Sequence, residues 1–405
     1  MSNATTGTIP SLLDRVLHLY ESVENKRRLG CWSNPEQALR GEIQWHGLAR
    51  GDATSGDLMP VTAECLHTVW AELIGFRMDR LFQDPDTFLE NFLRMKIKKF
   101  EELPDDTPID LNIPVWFGVI LEAAILGQEY TFSPTEEPSL SRSPVIEDES
   151  DLAESFDFDA NPFLSIAKRF YERIRSLVGP EFHVVFPRWF RGPQGVALYL
   201  RGFETFLMDL YVNPDFATKL LRTVTEAEKQ YVAWRRSFTG EPTGLGDLFN
   251  DDIPLLSPED YVRFIQPLEK EIHDFYGGIY YWHSCGDITK HIEGISSIGR
   301  IELLDLGVSM EDKEQGIANL LEATPADRPV PQVELRVLAH KHIQNASEQQ
   351  TRAYMEGILG TCRRHGLTRY VLRSSGMSQV HGAAEDIRQL ARWVEISRDV
   401  QASGT

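Results

Sequence analysis

The chain is poor in cysteine, in positive charge and in long apolar runs. Only four of its 405 residues are cysteine (Cys31, Cys65, Cys285 and Cys362), widely spaced. They form no paired disulfide framework, and a chain this long needs none to hold its core. Reduced thiols in a cytoplasmic setting are the expectation. Lys and Arg number 41 against 61 Asp and Glu, a net charge of −20. With no basic patch to neutralise phosphates, nucleic acid is excluded as a partner, and an anionic membrane surface is disfavoured. No uninterrupted apolar stretch approaches the roughly 18 residues of a membrane span. The first ten residues are polar and small, unlike a secretory signal. No Gly-x-Gly-x-x-Gly follows a predicted strand and no Gly-x-x-x-x-Gly-Lys-Ser/Thr occurs, so neither nucleotide-binding loop is indicated.

What is present is an alternation of strand and helix patterns. The first part reads as helical: a capped amphipathic helix over 11–20 and longer helices over 62–74 and 85–102. One candidate strand spans 111–117. Strands then recur at 182–187, 244–248, 278–282, 301–306, 329–333 and 369–373, each followed by helical patterning, the last helix starting near Ala383. Six to eight such βα units predict an α/β protein, a single (β/α)8 TIM-type barrel over residues 61–400 with a helical extension over 1–60. An open doubly wound sheet is the alternative. The Pro- and Ser-rich segment 133–143 reads as a surface loop or a lid, and the acidic runs near 136 and 147–151 as solvated faces.

In such a barrel, chemistry sits at the C-terminal ends of the strands. That rule selects Arg188 and Arg191; Asp247 with Asn250, Asp251 and Asp252; His283 with Cys285; Asp305; and Ser374 with Ser375. Strand alternation turns His283 and Cys285 to the same side. An imidazole and a thiolate together are two ligands of a zinc site, and a core histidine beside a buried thiol is the plainer reading. Asp305, at the end of the next strand, is the nearest third ligand by type; it also suits a helix cap or a salt bridge. Asp247 and Asp252 are candidate catalytic carboxylates, although the cluster also suits cation binding or helix capping. Arg188 and Arg191 either clamp a substrate carboxylate or pair with those aspartates. His46 reads as structural and His381 as a weak alternative ligand.

Several segments together are similar to the uroporphyrinogen decarboxylase superfamily. They are Arg191-Gly192-Pro193, Arg201-Gly202-Phe203-Glu204, Asp209-Leu210-Tyr211, Asn213-Pro214-Asp215, Leu256 through Tyr261, Pro267, and His283-Ser284-Cys285-Gly286. The likeness runs from about Trp70 to Trp393 and is densest between Arg191 and Gly307. It implies one distorted (β/α)8 barrel with a deep cleft and is compatible with a homodimer. The decarboxylases' N-terminal Arg-Gln-Ala-Gly-Arg-Tyr signature has no counterpart here, so the corrinoid-linked methyltransferase branch is the closer likeness. That branch implies zinc held by His283, Cys285 and a later cysteine, activating a thiol. The later cysteine is replaced here, in Arg373-Ser374-Ser375-Gly376, by Ser375, a poor zinc ligand. Three outcomes follow: zinc on His283, Cys285 and Asp305 with Ser375 at the fourth place; a weaker metal; or a metal-free cleft acting as decarboxylase or lyase on a small carboxylated substrate. A non-catalytic partner subunit is a further alternative. No Asp-x-His-x-x-Gly corrinoid motif occurs, so any corrinoid would ride on a separate partner protein.

Overall fold

A computed structural model describes residues 8–35, 45–51, 58–307 and 313–403. Eight parallel strands run in chain order around a barrel: β1 (Val61–Thr62), β2 (Asn112–Pro114), β3 (His183–Val185), β4 (Gly246–Phe249), β5 (Ile279–His283), β6 (Ile301–Asp305), β7 (Gln332–Val337) and β8 (Tyr370–Ser374). β4 to β8 pair in sequence and β8 pairs with β1, while β2 and β3 form their own parallel pair. Backbone bonds beyond the end of β3 join it to β4, from Phe249 N–H to Phe190 O at 2.8 Å and from Gly192 N–H to Phe249 O at 3.0 Å. The seam between β1 and β2 is closed partly by side chains. Asp106 accepts from the Val61 N–H at 3.0 Å and Asp105 from the Ala63 N–H at 2.9 Å, replacing ladder bonds with carboxylates.

Helices separate successive strands, as the alternation predicts. Pro85–Glu102 follows β1, Pro162–Leu177 follows β2, Pro214–Thr239 follows β3, Glu348–His365 follows β7 and Ala383–Ser403 follows β8. Their starts obey local chemistry: Asp84, Asn161 and Ser347 cap their helices through the side chain, and Pro sits at the start after Asp84 and Asn161. The expected helix over 62–74 is shorter. Val61 and Thr62, both β-branched, form β1, and the helix spans only His67–Ile74. The segment 133–143 folds into an antiparallel hairpin, Tyr130–Thr131 against Ser139–Leu140.

Strand alternation divides the inside of the barrel from the outside. On β7, Val333, Leu335 and Val337 face the helices and are fully buried; each contributes about 1.5–3 kcal/mol by leaving water. Gln332, Glu334 and Arg336 occupy the alternate positions, and their bonds lie inside the barrel. The interior is therefore charged, where barrels of this kind usually pack Val, Ile and Leu. Before β1 the chain contributes two described helices, Ile9–Tyr20 and Val23–Gly30, and a segment, 45–51, that meets the barrel floor. There His46 Nδ1 lies 3.1 Å from Glu334, and Gln332 bonds to Gly47 O and to the Ala49 N–H. Burial drives the His46 pKa down to about 4, so this ring is a neutral structural donor to Glu334. Among the described residues, no helix is long and apolar enough to cross a membrane.

Candidate metal centre and its cavity

β5 ends in His283, and the chain turns immediately through Ser284-Cys285-Gly286. Gly286 is required by crowding: a Cβ there would lie 2.2 Å from Cγ of Pro254. Gly307 sits at φ +86°, and a Cβ there would meet the Gly286 carbonyl at 1.9 Å. The loops after β4, β5 and β6 are thus pressed together, and they bring one acid, one imidazole and one thiol to a point.

Cys285 Sγ lies 3.4 Å from His283 Nε2, and Asp251 Oδ1 lies 3.3 Å from the same nitrogen. All three donor atoms fall within 4.8 Å of one another. Tetrahedral zinc with bonds of about 2.0–2.3 Å places neighbouring donors about 3.5 Å apart. The two shortest separations match that spacing, and sulfur, imidazole nitrogen and carboxylate oxygen are zinc's usual donors. The donor set therefore fits zinc with three protein ligands and an open fourth place.

Asp305 sits elsewhere than the sequence suggested. Its Oδ2 accepts from His283 Nδ1 at 2.7 Å, on the ring nitrogen opposite Cys285, and its Oδ1 accepts from the Gly307 N–H at 2.8 Å. As the next strand's inward residue it lands behind the ring, so Asp251 is the carboxylate on the sulfur side. Asp305 instead fixes the ring's orientation and leaves Nε2 facing the thiol. Ser375 lines the cavity, and its hydroxyl accepts from the Ala339 N–H at 2.9 Å. Ser374 Oγ accepts from the Glu64 N–H at 2.8 Å. His381 is bonded to the Gln344 carbonyl at 3.1 Å.

A charged network supports the His283–Asp305 pair. Arg336 Nη1 lies 3.2 Å from Asp305 and its Nη2 lies 3.4 Å from Glu64, while Arg373 Nε lies 3.0 Å from Glu64. Tyr281 donates to Glu334 at 2.7 Å. These groups are buried, and each charge has an opposite partner, as burial demands. Sequence reading passed over Glu64, Tyr281, Glu334, Arg336 and Arg373. The signal was present in β7, where Gln332-x-Glu334-x-Arg336 alternates with apolar residues.

Burial opposes charge on His283, but its bonds to Asp251 and Asp305 hold its pKa well above the ordinary value. Burial likewise opposes ionisation of Asp251, yet His283, Arg191 and the Cys285 N–H keep it below the usual carboxylate range. The loop bearing Asp251 is pinned by Asn250, whose N–H donates to the His283 carbonyl at 2.7 Å and whose side chain donates to Glu269 at 2.7 Å.

The four candidate catalytic residues form two acid–base pairs. Arg188 Nη2 lies 2.9 Å from Asp247, whose pKa burial raises to about 6. Arg191 lies 3.9 Å from Asp251 and 3.7 Å from Asp252. Of these four, Arg188, Arg191 and Asp247 line the cavity; Asp252 lies behind it, and its carbonyl accepts from Gln194. The cavity measures about 540 Å³. Its inner wall is the polar cluster just described. Much of the remaining lining is apolar, with Trp116, Phe117 and Val119 following β2, Phe190 beyond the β3 end, and Phe249 at the β4 end beside His283.

Residues 105–322 match the uroporphyrinogen decarboxylase (URO-D) family, more than half of the chain. The protein therefore belongs to that family, and the eight-stranded barrel is its fold. Among solved structures the chain is similar to a methyltransferase from Methanosarcina mazei, with a TM-score of 0.58 and 14% identity. That likeness covers 86% of this chain and 96% of the other, and at this identity it speaks to fold. No curated protein matches the sequence.

Proposed function

We propose that this protein is a zinc-dependent methyltransferase, moving a methyl group between a corrinoid carried by a separate protein and a thiol or other small substrate. The observation that carries the reading is the convergence of Asp251, His283 and Cys285 within 4.8 Å at one wall of an apolar cavity. Membership of the URO-D family and the likeness to a protein described as a methyltransferase lend support. Zinc bound there supplies Lewis acidity that lowers the pKa of a coordinated thiol and keeps it as the nucleophilic thiolate.

The chain's own residues have distinct tasks in this reading. Asp305 accepts a hydrogen bond from His283 Nδ1–H, which leaves Nε2, beside Cys285 and Asp251, as the nitrogen whose proton a metal would displace. Arg336 holds Asp305 from behind. Phe249, with its ring 4.8 Å from His283, shields the imidazole from water. The cavity arginines are already matched by Asp247, Asp251, Asp252, Glu64 and Asp305, which argues against a carboxylate clamp and against decarboxylation. The test is methyl transfer from free methylcobalamin to a panel of small thiols, followed by loss of the methylcobalamin absorbance. Turnover that vanishes in Cys285→Ala is expected. Zinc-loaded protein that transfers to none of the thiols contradicts the reading.

A further inference from the structure

Across the barrel from the candidate metal centre, the cavity has a second polar station. In an eight-stranded ring, β1 and β2 stand opposite β5 and β6. His67 opens the helix after β1, Trp116 follows β2, and Glu137 comes from the hairpin inserted after β2; all three line the cavity. The His67 ring stacks on Trp116, with centroids 4.3 Å apart and planes 18° apart. His67 Nδ1 lies 3.3 Å from Glu137 Oε1. Both carboxylate oxygens of Glu137 are shielded from solvent, and neither has a hydrogen-bond partner among the described residues. The hairpin is held in place. Pro134 O accepts from the Met78 N–H at 3.0 Å, and Phe132 stacks on Phe82 at 5.6 Å.

The carboxylates lining the cavity differ in their partners. Glu64, Glu137, Asp247 and Asp251 face Arg188, Arg191, Arg336 and the His283 ring. Arg188 is matched to Asp247, Arg191 to Asp251 and Asp252, and Arg336 to Glu64 and Asp305. Glu137 is the lining acid with no cation of fixed charge beside it. A shielded carboxylate whose one ion-pair neighbour is a histidine, charged only when protonated, is costly, and a bound ligand that brings a permanent cationic donor recovers that cost. Next to it, the indole of Trp116 offers a π-surface that favours a cation.

We infer that the cavity takes a small organic ammonium with an apolar body: its cationic nitrogen binds Glu137 beside Trp116, its body lies along Phe117, Phe190 and Phe249, and its far end points at Cys285. Which end reacts rests on the methyl-transfer reading; the recognition of the cation does not. An anionic ligand fails at Glu137, and a neutral one leaves the carboxylate without a charge partner.

Three probes share one body and differ in charge: benzylamine, protonated at pH 7, benzyl alcohol and benzoate. Calorimetric titration of the full chain should show benzylamine binding about tenfold tighter than benzyl alcohol, with benzoate weakest. In Glu137→Gln the amine should fall to the alcohol's affinity, while zinc content stays as in the wild type and thermal unfolding of the free protein moves to equal or higher temperature. Glu137→Ala is the second variant and should act in the same direction. Benzyl alcohol or benzoate binding as tightly as the amine, binding of none of the three, or an amine preference that survives both variants overturns the inference. Zinc is measured separately on the same samples. Protein without zinc that still selects the amine through Glu137 contradicts the metal assignment and leaves this inference standing.

Discussion

Replacing Asp305 by asparagine separates orientation of the histidine from coordination of the metal. Asp305 accepts two bonds, from His283 Nδ1 at 2.7 Å and from the Gly307 N–H at 2.8 Å. An asparagine has one oxygen to serve both. If that oxygen stays on Gly307, its NH2 group faces Nδ1 and forces the ring into the tautomer protonated at Nε2. That proton then occupies the position that should face the metal. Loss of such a supporting bond typically costs 10–100-fold in metal affinity, about 1.4–2.8 kcal/mol. Folding stability should fall less than the ~3–5 kcal/mol of a fully broken buried pair, because Arg336 keeps Glu64 at 3.4 Å. Zinc affinity is read by competition against a chromophoric chelator, and apo stability by urea unfolding. Asp251→Asn is the companion variant and should lose more affinity, since it removes a donor. Wild-type zinc affinity in Asp305→Asn refutes the reasoning. So does retention of zinc by Asp251→Asn together with its complete loss in Asp305→Asn.

Other expectations follow from the same arrangement. Ser375→Cys adds a thiol to the cavity lining, at the position where the family resemblance implies a cysteine ligand, and zinc affinity in the same competition assay should rise by about tenfold or more; an unchanged value places residue 375 outside the coordination sphere. Glu228 is buried, accepts from Tyr276 at 3.0 Å, and burial lifts its pKa from 4.5 to about 8. Between those values the folded chain holds a proton that the unfolded chain has lost, so stability falls as pH rises, by up to about 1.4 kcal/mol per pH unit. Glu228→Gln should therefore be more stable than the wild type at pH 8 and nearly equal to it below pH 4.5, as measured by chemical unfolding at both values. A variant no more stable at pH 8 contradicts the burial argument.

Much of the barrel was legible because its strands and helices follow different periods. β4, β5, β6 and β8 lie within a residue or two of their expected limits. β1 was hidden because it is two residues long and merges with the helical pattern that follows. β7 was expected at 329–333 but runs from Gln332 to Val337, because its polar inward residues masked a strand that apolar runs would have announced. The His283–Cys285 pair stood out as a strand-end signal, although it is the turn after His283, outside the strand, that brings the thiol to Nε2. Its acid partner was harder to place. Alternation turns Asp305 inward, but only the three-dimensional arrangement puts it on the Nδ1 side of the ring and brings Asp251 to Nε2. His67 and Glu137 gave no sequence signal, since seventy residues separate them and a hairpin brings them together.

The central claim is that Asp251, His283 and Cys285 hold zinc. X-ray absorption at the zinc edge, on protein purified without chelator and quantified by elemental analysis, tests it most directly. One zinc per chain is expected, with a single sulfur at about 2.3 Å and nitrogen or oxygen donors at about 2.0–2.2 Å, the sulfur signal vanishing in Cys285→Ala. Protein free of zinc, or zinc whose shell keeps its sulfur when Cys285 is gone, contradicts it.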